Sequence, residues 1–188
     1  MDTKSIVNSE QGNTLRVPKE KVRSKNFTIL VVEDNDDDLT LLLRAWRKLG
    51  VEEQIRVARS GQEAIAYLKG DGKFADRKLY QYPSFITTDL KMACGDGMSV
   101  LEHLHTNPEW AVIPTSVLSS SSDLDDIRMS YRLGASSYHI KPHVFADLEK
   151  LLTTLHQYWL LCEVPQVDET GKHLATRRVG KMGERFDQ

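Results

Sequence analysis

Two cysteines in 188 residues, Cys94 and Cys162, are too few for a disulfide framework or a four-ligand zinc site. Long apolar runs are missing too. No stretch approaches the roughly 20 residues of a membrane span. The opening segment MDTKSIVNSEQGNTLRVPKEKVRSK lacks the apolar core of a signal peptide. A formal net charge of −2 leaves no excess of either sign, so neither direct nucleic-acid binding nor membrane association is expected, and a cytoplasmic setting is. The chain contains no G-x-x-x-x-G-K-S/T and no G-x-S-x-G, which removes the phosphate-cradling loop of nucleotide enzymes and the elbow of serine hydrolases. Pro142 separates His139 from His143, and His103 and His105 fall on different sides of a helix, so a histidine metal site is not expected.

What is present suits one domain large enough to bury its own core. The first 26 residues carry Lys4, Arg16, Lys19, Lys21, Arg23 and Lys25 against three acids, with few large apolar residues. They read as a disordered tail, 1–26. Residues 163–188 carry five charges of each sign and read as a largely irregular C-terminal tail. The cluster Lys172, Arg177, Arg178, Lys181 and Arg185 reads as a solvated part of it. The body, 27–162, is left acidic.

Within the body, strand and helix patterns alternate. Short apolar runs at Phe27–Val32, Gln54–Val57, Phe85–Asp89, Thr115–Leu118 and Ser137–Ile140 predict strands. Between them, apolar residues at helical spacing predict helices over Asp37–Leu49, Ser60–Lys69, Met98–His105, Ser122 to Arg132 or Leu133, and Val144–Cys162. Ser60 with Glu63, and Ser122 with Asp125, read as helix caps. Gly134 suits a left-handed helix stop, and 70–83 is a long loop. Five βα units predict an α/β fold with a parallel sheet and helices on both faces.

Ligands of such sheets sit beyond the strand ends. The residues there are Glu33 and Asp34, Asp89, Ser119 and Lys141. Crowded carboxylates repel and need a cation, and an oxygen-only set suits Mg²⁺. An aspartate can act as nucleophile and carry an acyl phosphate. Lys141 and Ser119 would then hold two phosphoryl oxygens.

The motifs ILVVEDN (29–35), TTDLKMACGDG (87–97), VLSSSSD (117–123) and YHIKP (138–142) resemble the receiver domain of two-component response regulators. The resemblance implies a flavodoxin-like (βα)5 sandwich with strand order 2-1-3-4-5. It implies that Asp89 is the phosphoacceptor for a sensor histidine kinase or phosphotransfer protein. Glu33, Asp34, Asp89 and the backbone carbonyl of Lys91 would surround Mg²⁺. Ser119 and Ser120 would stand at the switch hydroxyl position, Tyr138 at the rotating aromatic, and Lys141 at the phosphate-sensing lysine. Lys141–Pro142 would be a cis bond. Lys91 and Ser121 would tune phosphate lifetime, and neither supplies an acid to orient water, so slow self-hydrolysis is expected. The loop 70–83 and the final HQYWLLCEVP narrow the resemblance to single-domain regulators that partner bacterial phytochromes. The signal would leave by contact with a downstream protein, and exposed apolar residues near 158–161 suggest a homodimer face.

Ala93 and Cys94 depart from the family's Met-Pro-Gly and predict a looser loop. They motivate an alternative, a phosphorylation-independent module that only binds partners. A phosphatase on a similar scaffold would need a second Asp two residues after Asp89, where Lys91 stands. Independent substrate turnover is therefore not expected.

Overall fold

The computed structural model describes residues 27–51, 54–93, 97–162, 167–168 and 170–172. The expectations for 1–26, for Cys94 and for most of 163–188 fall outside them. The elements are β1 (Ile29–Val32), α1 (Asp36–Lys48), β2 (Ile55–Ala58), α2 (Gly61–Lys69), β3 (Phe85–Thr88), α3 (Gly97–Thr106), β4 (Thr115–Ser119), α4 (Leu124–Arg132), β5 (Ser137–Ile140) and α5 (Phe145–Leu161). The strands form one parallel sheet in the order β2-β1-β3-β4-β5, as the resemblance implied.

Strands β1, β3 and β4 are buried throughout, which explains their unbroken apolar or small-residue runs. Alternate side chains go to opposite faces. Ile29 and Val31 join Leu42, Trp46, Phe85, Leu118, Leu148, Leu152 and Leu155 beneath α1 and α5. Leu30 and Val32 join Ile86, Ala64, Tyr67, Leu68, Val100 and Leu104 beneath α2 and α3. Each large apolar side chain buried in this way contributes about 1.5–3 kcal/mol.

Local signals set the helix ends. The Asn35 side chain accepts from the Asp37 and Asp38 N–H groups at 2.9 Å and opens α1, whose first turn is acidic and whose last is basic. Ser60 caps α2 by accepting from Glu63 N–H, while the Glu63 carboxylate reaches Arg59 N–H. Gly70 ends α2 at φ +76°, a backbone conformation that suits glycine. Gly134, at φ +88°, follows α4 as expected. The cap of α4 is Asp123, not Ser122. The Asp123 carboxylate accepts from Asp125 N–H at 2.7 Å, so the helix starts one residue later than the serine would have it.

The long loop is held from its middle. The Arg77 guanidinium donates to the carbonyls of Tyr67, Leu68 and Tyr80, satisfying the last turn of α2, and lies 4.0 Å from the centre of the Tyr82 ring. Tyr80 packs edge to face on both Tyr67 and Phe74 beside it, and those two rings meet at a tilt. A piece of the C-terminal stretch joins this end of the sheet: Val167 packs on the α2/α3 core, and the Trp110 indole N–H donates to Gly171 O at 3.2 Å.

Candidate functional site

Every strand of a parallel sheet delivers its next residue to the same edge. Pairing of Val32 with Thr88 puts Glu33 beside Asp89 at that edge. Pairing of Ser119 with Ile140 brings Lys141 there, and the Lys141 N–H donates to Ser119 O at 2.8 Å. Asp89 is 6% exposed and Glu33 1% exposed. Two carboxylates this buried need a counter-charge.

Lys141 supplies it. Its ammonium lies 2.7 Å from Glu33 Oε2, 2.7 Å from Asp89 Oδ2 and 2.6 Å from Asp38 Oδ2. Burial works against the lysine's charge, but the hydrogen bonds to Asp38, Asp89 and Glu33 outweigh it and raise the pKa. Burial pushes the Glu33 carboxyl up from its ordinary value, offset in part by Lys141. The other oxygen of Asp89, Oδ1, accepts from Lys91 N–H at 3.1 Å.

Carboxylate oxygens of Glu33, Asp38 and Asp89 all lie within 4.8 Å of one another. Such an oxygen-only set, already gathered around one cation, fits a hard divalent ion. Asp38 was not foreseen as a member. Asp34 was, but its carboxylate turns aside and accepts from Ala93 N–H at 2.6 Å. A proline at 93 would have no N–H to give. The residue expected to loosen this loop thus provides a bond across 59 residues of chain.

The threonine that ends β3 has a reason to be polar. The Thr88 hydroxyl donates to Asp89 O at 2.9 Å and fixes the backbone of the acceptor. A Cβ on Gly97 would lie 1.8 Å from that same oxygen, so only glycine fits at the start of α3. Neither role has a local sequence signal. The same holds for Arg59, which donates to Asp34 O at 2.8 Å and pairs with Asp36, bracing the loop after β1.

The expected switch residues surround the site unequally. Ser119 is fully buried and Ser120 is exposed. Tyr138 is half-buried and its hydroxyl donates to Ser121 O at 2.9 Å; burial raises its pKa. Lys91 and Ser121 meet at a common partner, Asp126 of α4. Their hydrogen bonds, Lys91's first and then Ser121's, lower the Asp126 pKa. The Lys141–Pro142 bond is trans, not cis. An X–Pro bond favours trans by about 0.5–1 kcal/mol, and the trans form already lets Lys141 reach both Ser119 O and the three acids.

The family model of the response regulator receiver domain matches residues 29–153. The chain belongs to that family. This receiver is 34% identical over 137 residues to the probable methanogenesis regulatory protein FilR2 of Methanothrix harundinacea, covering 71% of the chain and 84% of that protein. It is 30% identical over 132 residues to response regulator Rcp1 of Synechocystis, covering 70% and 88%. The phosphorylated cyanobacterial phytochrome response regulator RcpA superposes with a TM-score of 0.69 at 32% identity, covering 75% of this chain and 99% of that one. A Mn²⁺-bound form of Rcp1 gives 0.67 at 29% identity, covering 74% and 99%. Among the described residues of this receiver, no helix is long and apolar enough to cross a membrane.

Proposed function

We propose that this receiver is a phosphorylation switch in which Asp89 accepts a phosphoryl group from a phosphohistidine of a sensor histidine kinase or phosphotransfer protein. The supporting observation is the Asp89 carboxylate itself: buried, one oxygen on a backbone N–H and the other on the Lys141 ammonium, with two further acids beside it. A carboxylate oxygen attacks phosphorus, the new P–O bond forms as the P–N bond breaks, and the departing imidazole nitrogen takes a proton from solvent. Lys141 is already within reach of the acceptor and balances charge on the transferring group. The Lys91 N–H orients the nucleophile. Glu33, Asp89, Asp38 and the Lys91 carbonyl would hold Mg²⁺, with Asp34 joining once it leaves Ala93. When bound, that ion offsets the negative charge of donor and acceptor.

The added charge on Asp89 gives the Ser119 hydroxyl and Lys141 a new anion to contact. Ser119 O is bonded to Lys141 N–H, and Ser121 O to Tyr138, so the displacement passes to β5 and to the loop before α4. The output is a changed protein-binding face in the cytoplasm. The receiver turns over no substrate of its own. The likeness to RcpA, a cyanobacterial phytochrome response regulator, supports a sensor kinase of the phytochrome class as donor.

Intact mass after incubation with Mg²⁺ and acetyl phosphate tests the reading. One phosphoryl adduct is expected on the wild type, none on Asp89→Asn, and none when EDTA is present during the reaction. Absence of an adduct from both acetyl phosphate and a phosphohistidine donor would overturn it in favour of a phosphorylation-independent binding module.

A further inference from the structure

The sheet edge that carries Asp89 carries a second cation besides Lys141. Pairing of Val32 with Ala58 delivers Glu33 and Arg59 side by side, and the Glu33 N–H donates to Ala58 O at 3.0 Å. The Arg59 backbone is fixed from α2. Its N–H donates to Glu63 Oε2 at 2.6 Å, and Glu63 Oε1 pairs with Lys73 at 2.6 Å. From there the side chain reaches over the loop after β1. One terminal nitrogen, Nη2, donates to Asp34 O at 2.8 Å, 25 residues away in the chain, and also pairs with Asp36 Oδ1. The other, Nη1, is buried with no hydrogen-bond partner among the described residues. The guanidinium is therefore seated in the fold and not laid on its surface.

Arg59 holds the peptide of a residue that has two places to go. The Asp34 carboxylate rests on the Ala93 N–H at 2.6 Å, outside the set of oxygens gathered from Glu33, Asp38 and Asp89. To meet an ion in that set it has to turn about its own side-chain bonds. The turn ends in one defined place only if the backbone beneath it stays still. Next along the chain, the Asn35 N–H donates to Glu33 Oε1 at 3.2 Å and the Asn35 side chain caps α1. The Asp34 carbonyl is held by Arg59.

Arg59 has two opposed effects on a dication. Its charge repels the ion, and its hold on Asp34 O orders a ligand. Charge is the weaker effect. Asp36 shares the same nitrogen and offsets it, and the Arg59 side chain is 38% exposed, where water and salt screen it. A hydrogen bond donated by a cation is among the stronger kinds. We propose, given that the acids around Asp89 take Mg²⁺, that Arg59 is a positioning residue for that ion: it fixes the Asp34 peptide, so that the carboxylate passes from the Ala93 N–H to the ion by side-chain rotation alone. Arg59 makes no described hydrogen bond or ion pair with Asp38, Asp89 or Lys141, and it acts through Asp34.

The test titrates the full chain with Mg²⁺ by calorimetry. Arg59→Gln is expected to bind Mg²⁺ about three- to tenfold more weakly than wild type, a part of what a charged hydrogen bond supplies. Repulsion alone would make the same variant bind more tightly. Asp34→Asn is also expected to bind more weakly, and in that background Arg59→Gln has no further effect, which a general loosening of the fold would not produce. Should Arg59→Gln fail to fold, Arg59→Lys keeps the charge without the planar fork and is expected to weaken binding about twofold. Phosphoryl uptake from acetyl phosphate, followed by intact mass, should need correspondingly more Mg²⁺ for half its maximal rate and recover at saturating Mg²⁺. Affinity unchanged or raised by the Arg59 variant, or lowered equally with and without the Asp34 carboxylate, overturns the proposal and leaves the Mg²⁺ site and the Asp89 acceptor in place. A wild type that binds no Mg²⁺ removes the cation site, and this proposal with it. A wild type that binds Mg²⁺ but takes no phosphoryl group from acetyl phosphate or a phosphohistidine donor removes the acceptor reading alone, and the titration still decides the role of Arg59.

Discussion

The two ends of the sheet are held by cations in opposite ways. Where the strands end, one lysine faces three carboxylates, so like charges remain pressed together around it. Where the strands begin, one arginine faces three neutral carbonyls and an aromatic ring, and every contact it makes is attractive. The first end is frustrated and responds to any new charge. The second is satisfied and has nothing to gain by moving. A switch needs both, because a change at one edge becomes directed motion only if the other edge stays still.

The largest expected break in this comparison is Lys141→Met. It leaves Glu33, Asp89 and Asp38 without a cation and should cost about 3 kcal/mol in urea unfolding at pH 7. Millimolar Mg²⁺ should return much of the loss. If Mg²⁺ restores nothing, the acids do not form a cation site. Next comes Arg77→Ala, expected to cost about 2 kcal/mol, because buried carbonyls lose their donor. It should leave phosphoryl uptake by Asp89 unchanged. Reduced uptake would mean that the two ends are coupled.

A smaller effect is expected at Ala93. Ala93→Pro removes the N–H that holds Asp34 and turns that carboxylate back toward the acids. Mg²⁺ should then bind about two- to fivefold more tightly by titration calorimetry, as one added charged partner warrants. Unchanged affinity would show that Asp34 plays no part in holding the ion.

The smallest effect is in pH, and here the groups differ in sign. The folded pKa values of His103, His139 and His156 fall below the ordinary 6.5 because of burial. Their contribution to stability is full above about 6.5 and is lost as pH falls through the folded values. The folded pKa of Glu33 is raised above 4.5, so its protonation takes place first in the native state and stability rises as pH drops through it. Glu33→Gln should therefore steepen the loss of stability on acidification from pH 7 to 4.5, and His103→Gln should flatten it. Equal slopes in all three proteins would contradict both assignments.

The alternation of strand and helix was legible because parallel strands buried on both faces leave uninterrupted apolar runs. The placement of Glu33, Asp89 and Lys141 was legible because each stands just past a strand. Asp38 was not. An acid in the first turn of a helix reads as a partner for the helix dipole, and its contact with Lys141 spans 103 residues. Asp126 was hidden in the same way. The trans bond at Pro142 and the one-residue shift of the α4 cap depended on packing that no local pattern encodes. Gly97 opens α3, and only the position of Asp89 O explains it.

The hydrogen bond from Trp110 to Gly171 has an optical consequence. Trp110 lies on the α2/α3 side of the sheet, whereas Trp46 and Trp159 lie with the α1/α5 core, their indole N–H groups without a hydrogen-bond partner among the described residues. The three fluorophores therefore see different surroundings. Emission from Trp110 reads the seating of Gly171, and the other two read the opposite layer, so the chain carries its own pair of reporters without any attached dye.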